Sequence, residues 1–299
     1  MGFLFIILGT LMWSLDTLIR YPLLGLIQPD TLVFIEHFFL TLIFIPVFFY
    51  KKLDFKKVRS NSLISFLVVG VIGSALSTLA FTKAFSLINP SLVILLQKLQ
   101  PIVVIVFSMI LLKEKIKKSF YFFAALAIFG GGLVSYPDLA PLFTSSADQK
   151  PGVVLGYLLT LFAVFGWGIS TLFGKKLVIE GFTELEIMSG RFGAGFVFLF
   201  FYGLVNQSLP STSLSGEIFV KILALVLISG LCGMYLYYKG LKILSAHLGS
   251  IAELFFPFSA VLINWIFLGK TLEPIQIVGS SILILTSVAV QELKKQPIT

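Results

Sequence analysis

A chain of 299 residues with 58% hydrophobic side chains, a mean hydropathy of +1.03 and 12% charged residues has too little polar surface for a water-soluble globule, in which about 25% charged is usual. The formal charge of +8 does not point to nucleic acid, because the lysines fall in short runs between apolar segments, as they do in loops kept on the cytoplasmic side of a membrane. The single cysteine, Cys232, excludes an internal disulfide and any cysteine-built metal site, and with no glycine-rich nucleotide loop in the sequence no cofactor or metal is expected.

In chain order, ten apolar segments each approach the ~20 residues that cross a hydrocarbon core. They are expected at 3–20, 31–50, 62–85, 90–112, 119–136, 152–174, 184–205, 217–241, 246–268 and 274–292. Pro90 and Pro274 sit where helices begin, since proline's missing N–H is harmless in a first turn. Pro22 and Pro137 are expected just past helix ends. The first segment has no basic start and no small-residue cleavage site, it carries Asp16, and it matches the segment around Trp167, so it is expected to be retained as the first helix and not removed as a signal peptide.

The chain repeats itself, which is the feature to look for first in a sequence of this size. At an offset of 156, Phe81 to Ile116 reappears as Tyr237 to Leu272, with Lys83 on Lys239, Pro101 on Pro257 and Leu112 on Leu268. At an offset of 154, Trp13 falls on Trp167, Thr17 on Thr171 and Phe38 on Phe192. The organisation expected is a first repeat over 1–138, an outside linker rich in Ser, Asp and Pro over 139–151, and a second repeat over 152–299.

Charge sets the orientation. With the N-terminus inside, fourteen of the 22 basic residues lie on the cytoplasmic side, from Lys51 and Lys52 to Lys294 and Lys295, and four, Arg20, Lys150, Lys221 and Lys270, lie outside. Both termini are then cytoplasmic. Five helices per half is an odd number, so the second half enters the membrane in the opposite sense, and the fold class expected is all-α, ten transmembrane helices as two inverted five-helix repeats.

Ten short helices in two halves, the Trp13 and Trp167 helices that open them, Arg191-Phe192 early in the second helix of the second half, and the proline helices ending in Leu112-Lys113-Glu114 and Leu268-Gly269-Lys270 resemble the EamA family of the drug/metabolite transporter superfamily. The halves differ at two telling positions: His37 stands where the second has Arg191, and Lys270 where the first has Glu114. The resemblance implies a bacterial inner-membrane carrier that moves amino acids and other small metabolites, often outward, by alternating access.

Polar residues within the apolar runs point to the site, because a charge at bilayer depth costs on the order of 3 kcal/mol and faces a cavity or a partner. Asp16 and Arg20, four apart, can pair on one helix face. Glu36 and His37 lie about two turns into the second helix, where the alternatives are a closed pair of Glu36 with Lys98 or Arg20 and a role in substrate or proton handling. Gln97, Lys98, Gln100 and Pro101 form the densest polar cluster, and proline frees the carbonyl of Gln97 four residues before it. Glu253 and Pro257 occupy the positions of Gln97 and Pro101 in the second half. Trp13 and Trp167 sit mid-helix, placed to wall a cavity. Lys83, Lys239 and His247, near helix ends, are expected to reach for the interface, and Asn264 completes the polar set.

The expected substrate-binding residues are therefore Trp13, Asp16, Glu36, His37, Gln97, Lys98, Gln100, Trp167, Arg191 and Glu253, with helix kinks at Pro101 and Pro257. The function they suggest is secondary transport of a small polar metabolite, an amino acid or related charged compound, with the bilayer as surroundings and protons as a candidate coupling ion. A membrane-embedded enzyme or accessory subunit acting on lipid is the alternative, and it lacks a clustered histidine or acidic motif.

Overall fold

The computed structural model of the protein describes residues 1–50, 60–88, 93–94, 96–113, 118–144, 152–209, 214–268 and 273–295. Glu114, Lys270 and residues 145–151 of the expected linker lie outside them, as do the side chains of Lys98, Pro257 and Asn264. Regular structure among the described residues is helical. It comprises α1 (Gly2–Leu23), α2 (Pro29–Tyr50), α3 (Ser60–Leu67), α4 (Ser77–Leu87), α5 (Gln100–Leu111), α6 (Lys118–Thr144), α7 (Val153–Ile179), α8 (Glu184–Val205), α9 (Gly216–Leu225), α10 (Met234–Ile243), α11 (Ala246–Ala252), α12 (Phe255–Leu268) and α13 (Pro274–Lys295). Among the described residues six runs are long and apolar enough to cross a membrane: Gly2–Leu23, Pro29–Val47, Asn61–Leu87, Val154–Ile179, Glu184–Val205 and Gly216–Ile243.

Local chemistry sets where the site-bearing helices start. Pro29 opens α2 with Asp30 in its first turn, a favourable start because the proline lacks only an N–H that would be unpaired and the acid faces the positive end of the helix. Thr183 caps α8 reciprocally: its hydroxyl accepts from the Glu186 N–H at 3.3 Å while its own N–H donates to Glu186 Oε2 at 2.7 Å. Arg191 follows two turns later.

Two spans carry a π-helical stretch in mid-course, Val68–Leu76 between α3 and α4 and Val226–Gly233 between α9 and α10. The wider turn frees carbonyls, and hydroxyls take some of them: Ser77 donates to Ile72 O at 2.7 Å and Ser229 to Leu225 O at 3.0 Å. Such widened turns recur at functional sites. Glycine is required where these stretches touch their neighbours. A Cβ on Gly73 would fall 2.1 Å from Ser170 Oγ, and one on Gly233 would fall 2.9 Å from the indole nitrogen of Trp13.

Helix packing is reciprocal. α1 packs on Val226–Gly233, α10 and α12, while α7 packs on Val68–Leu76, α4 and α5; α2 pairs with α8, and α6 with α13. Lipid is as apolar as leucine, so these contacts hold by close van der Waals fit around fully buried residues such as Ile6, Phe44, Leu172 and Tyr238. Outward faces carry bulky apolar side chains, Phe122, Leu158, Phe201 and Leu285 among them, all more than half exposed.

Several expectations need correction. Pro22 lies inside α1, which continues to Leu23, and α6 runs to Thr144, through Pro137 and into the expected linker. A proline removes one backbone bond, which bends a helix more readily than it ends one. His247 is buried, 8% exposed, with its ring 3.3 Å from the Ser245 hydroxyl, so it does not reach for the interface. Lys239 lies with its ammonium 4.6 Å from the ring centroid of Phe5. The expected continuous helices at 90–112 and 246–268 are each interrupted next to their prolines, and the interruptions face the site.

Candidate functional site

A cavity of about 190 Å³ opens between α1, α2, α7, α8, the two π-helical stretches and the two interrupted helices. Trp13, Asp16, Glu36, His37, Gln97, Gln100, Trp167, Arg191 and Glu253 all line it. Pro101 is buried and lines a smaller adjoining void of about 20 Å³ that shares Trp13, Gln97, Gln100 and Glu253 with the cavity.

The two interruptions arise from the same chemistry. An α-helix would offer the carbonyls of Gln97 and Glu253 to the N–H groups of residues 101 and 257, and both are prolines. Each carbonyl turns instead to the residue before the proline: Gln97 O accepts from the Gln100 N–H, and Glu253 O from the Phe256 N–H at 3.0 Å. The first interruption is thus a 3-10 turn, Gln97–Leu99, and the second separates α11 from α12. The Gln97 carbonyl is therefore taken locally and does not stand open to the cavity. What the tightened turns present are the side chains, and these meet across the halves: Gln100 Nε2 donates to Glu253 Oε2 at 2.7 Å.

The acids of α1 and α2 are already partnered. Arg20 Nε and Nη2 donate to Asp16 at 2.6 and 2.9 Å, and Nη1 and Nη2 donate to Glu36 at 3.1 and 2.9 Å. Ser229 adds a hydroxyl bond to Asp16 Oδ1 at 2.6 Å. One guanidinium holds two buried carboxylates, and of the closed pairs weighed for Glu36 the structure forms the one with Arg20. Arg20 itself is 8% exposed and lines the cavity, whereas its charge alone suggested an outside loop. Its place four residues after Asp16 was the signal.

Arg191 is the opposite case. Its guanidinium is buried and donates to Ser170 Oγ at 3.4 Å, Tyr238 OH at 3.2 Å and Gly73 O at 3.2 Å. All three partners are neutral, and among the described residues no carboxylate lies within 4 Å of it. His37, its counterpart in the other half, is held at both nitrogens, Nδ1 2.9 Å from Val33 O and Nε2 3.0 Å from Ser74 Oγ.

Two aromatic pairs wall the cavity, and each joins the halves. Trp13 packs on Tyr237 with centroids 5.5 Å apart, and Trp167 on Phe81 at 4.8 Å. Tyr237 is fixed by Thr171, hydroxyl to hydroxyl, at 2.9 Å. Ser74, Ser170, Thr171, Ser229, Tyr237 and Tyr238 line the cavity with them. Sequence reasoning passed these six over because single hydroxyls in apolar helices are common; the offset that places Tyr237 on Phe81 was the available clue.

Among the described residues six buried side-chain atoms lack a hydrogen-bond partner, and four of them, Thr82 Oγ1, Gln97 Oε1, Arg191 Nε and Glu253 Oε1, belong to cavity-lining residues. Buried polar groups are ordinarily paired, and each one left alone costs about 1–3 kcal/mol. Their concentration at one cavity is what a site looks like when its ligand supplies the missing partners. No group of three or more His, Cys, Asp or Glu able to hold a metal occurs among the described residues. The arrangement is suited to recognition of a flat, hydrogen-bonding molecule.

A sequence profile of the EamA-like transporter family matches residues 1–136 and again residues 154–290. Over 300 residues the chain is 33% identical to the riboflavin transporter ImpX of Fusobacterium nucleatum subsp. nucleatum (strain ATCC 23726 / VPI 4351), with 98% of each chain covered. A protein of known crystal structure superposes with a TM-score of 0.75 at 15% identity, covering 98% of this chain and 96% of its own; that likeness is one of fold.

Proposed function

This chain belongs to the EamA-like transporter family, and on that premise we propose that it is a secondary carrier of a flavin, riboflavin in the first instance, working by alternating access in the bacterial inner membrane. The observation that carries the substrate reading is the clustering of unpaired donors and acceptors at a cavity walled by two tryptophan–aromatic pairs. Flat rings stack on such pairs, and a flavin brings both a fused ring and many hydrogen-bonding atoms. The relative named as a riboflavin transporter matches across nearly the whole chain, which agrees with that chemistry.

The carrier architecture in this reading is ten helices as two inverted repeats, 1–138 and 152–299, joined by an outside linker at 139–151, with both termini cytoplasmic. The double profile match and the reciprocal packing of α1 and α7 support it. With no nucleotide-binding motif in the sequence, transport draws on a gradient, the substrate's own or one of protons.

An amino acid or related zwitterion is the second reading, favoured by one observation: Arg191 and Glu253 present opposite charges to the same cavity without pairing each other. Proteoliposomes holding the purified protein decide between the two. Labelled riboflavin is expected to enter and to be displaced by unlabelled riboflavin but not by a mixture of amino acids. Amino-acid uptake with no riboflavin uptake would overturn the flavin reading.

A further inference from the structure

Apart from the Thr82 hydroxyl, which can both donate and accept, the unpaired buried atoms on the cavity-lining residues are of two kinds, and they sit at two places. Arg191 Nε is a donor; it lies where α8 meets Ser170, Gly73 and Tyr238. Gln97 Oε1 and Glu253 Oε1 are acceptors at the two helix interruptions, beside the smaller void, and Arg191 does not line that void. The cationic donor end also lacks an acid partner, although the equally buried Arg20 has two. A buried guanidinium left with neutral partners is poorly compensated, so the favourable ligand group there is an acceptor-rich or anionic one.

Resting on the flavin reading, we propose that the substrate lies in one fixed sense: the carbonyl edge of the isoalloxazine ring accepts from Arg191, and the hydroxyls of the ribityl chain donate to Gln97 and Glu253. A flavin divides its chemistry in this way. Its pyrimidine ring carries two carbonyl acceptors, and its side chain is a run of alcohols able to donate. Trp13 and Trp167 then face the ring between the two ends.

Riboflavin and lumiflavin, which carries a methyl group in place of the ribityl chain, separate the two ends. In purified protein, Gln97→Met and Glu253→Gln are expected to weaken riboflavin binding on the order of tenfold, the range for losing a hydrogen bond to a charged or buried partner, and to leave lumiflavin binding unchanged. Unchanged lumiflavin binding also shows that those variants are folded. Arg191→Gln is expected to weaken both ligands by the same factor, so that the preference for riboflavin survives, and Arg191→Lys is expected to recover part of the loss for both. The proposal is overturned if Arg191→Gln removes the preference for riboflavin, if Gln97→Met and Glu253→Gln weaken lumiflavin as much as riboflavin, or if Arg191→Lys binds neither. If the unaltered protein binds neither flavin, the functional reading itself fails; binding of both with effects that do not sort by end refutes the orientation alone.

Discussion

Gln100 and Glu253 meet at 2.7 Å, each from one of the two proline-interrupted helices, and the bond joins residues 153 positions apart. Glu253 thereby keeps one carboxylate oxygen satisfied, while the other, Oε1, is buried without a hydrogen-bond partner. Gln100→Met removes that bond and leaves a buried carboxylate with the neighbouring Tyr237 hydroxyl as its remaining donor, a loss of about 1–3 kcal/mol. The thermal midpoint in detergent should fall, and adding Glu253→Gln should return part of it, because the group that has lost its donor is then neutral. Equal and additive losses in the double variant would show that the two side chains are not coupled.

The Arg20 cluster predicts a different pattern. Removing the single cation with Arg20→Met strands Asp16 and Glu36 together in a buried site, where breaking a pair costs about 3–5 kcal/mol. Folded yield should collapse. Arg20→Met combined with Glu36→Gln and Asp16→Asn should recover it, because no charge is left without a partner. A normal yield of Arg20→Met alone would mean that water reaches the cluster freely.

The duplicated pattern was legible because tryptophan and proline are rare enough in phase to be noticed: Trp13 with Trp167 and Pro101 with Pro257 led to the two cavity walls and the two helix interruptions. Glu253 was found the same way, by standing where Gln97 stands. The placement of Arg20 was not legible from charge counting, since an arginine near a helix end reads as a loop residue until two acids from the helix interior are brought against it. The π-helical turns were equally hidden, because Val68–Leu76 and Val226–Gly233 look like any apolar run with small residues. The pairing of Trp13 with Tyr237 depends on how the halves meet, which no local pattern carries.

If transport is coupled to protons, the geometry singles out Glu253. Asp16 accepts two bonds from the Nε–Nη2 edge of the Arg20 guanidinium and Glu36 two from its Nη1–Nη2 edge, so protonating either one breaks an existing pair, whereas Glu253 Oε1 has no bond to lose. Glu253→Gln should abolish the response of riboflavin flux to an imposed pH gradient while flux down a substrate gradient persists. Glu36→Gln should leave the response in place. Flux in the unaltered protein that ignores the pH gradient would remove protons from the mechanism.

Tryptophan fluorescence offers a direct test of where the ring lies. The chain has three tryptophans, Trp13, Trp167 and Trp265, and the first two line the cavity, while the Trp265 side chain lies outside the described residues. A bound flavin between the two aromatic pairs should quench the emission of both cavity tryptophans. Trp13→Phe and Trp167→Phe should each lose a comparable share of the quenching amplitude. Because Trp13 packs on Tyr237 and Trp167 on Phe81, phenylalanine preserves the aromatic contact, and affinity should change by less than about 1.5 kcal/mol, the value of one aromatic pair. Quenching that keeps its full amplitude in both Trp13→Phe and Trp167→Phe would place the flavin away from this cavity.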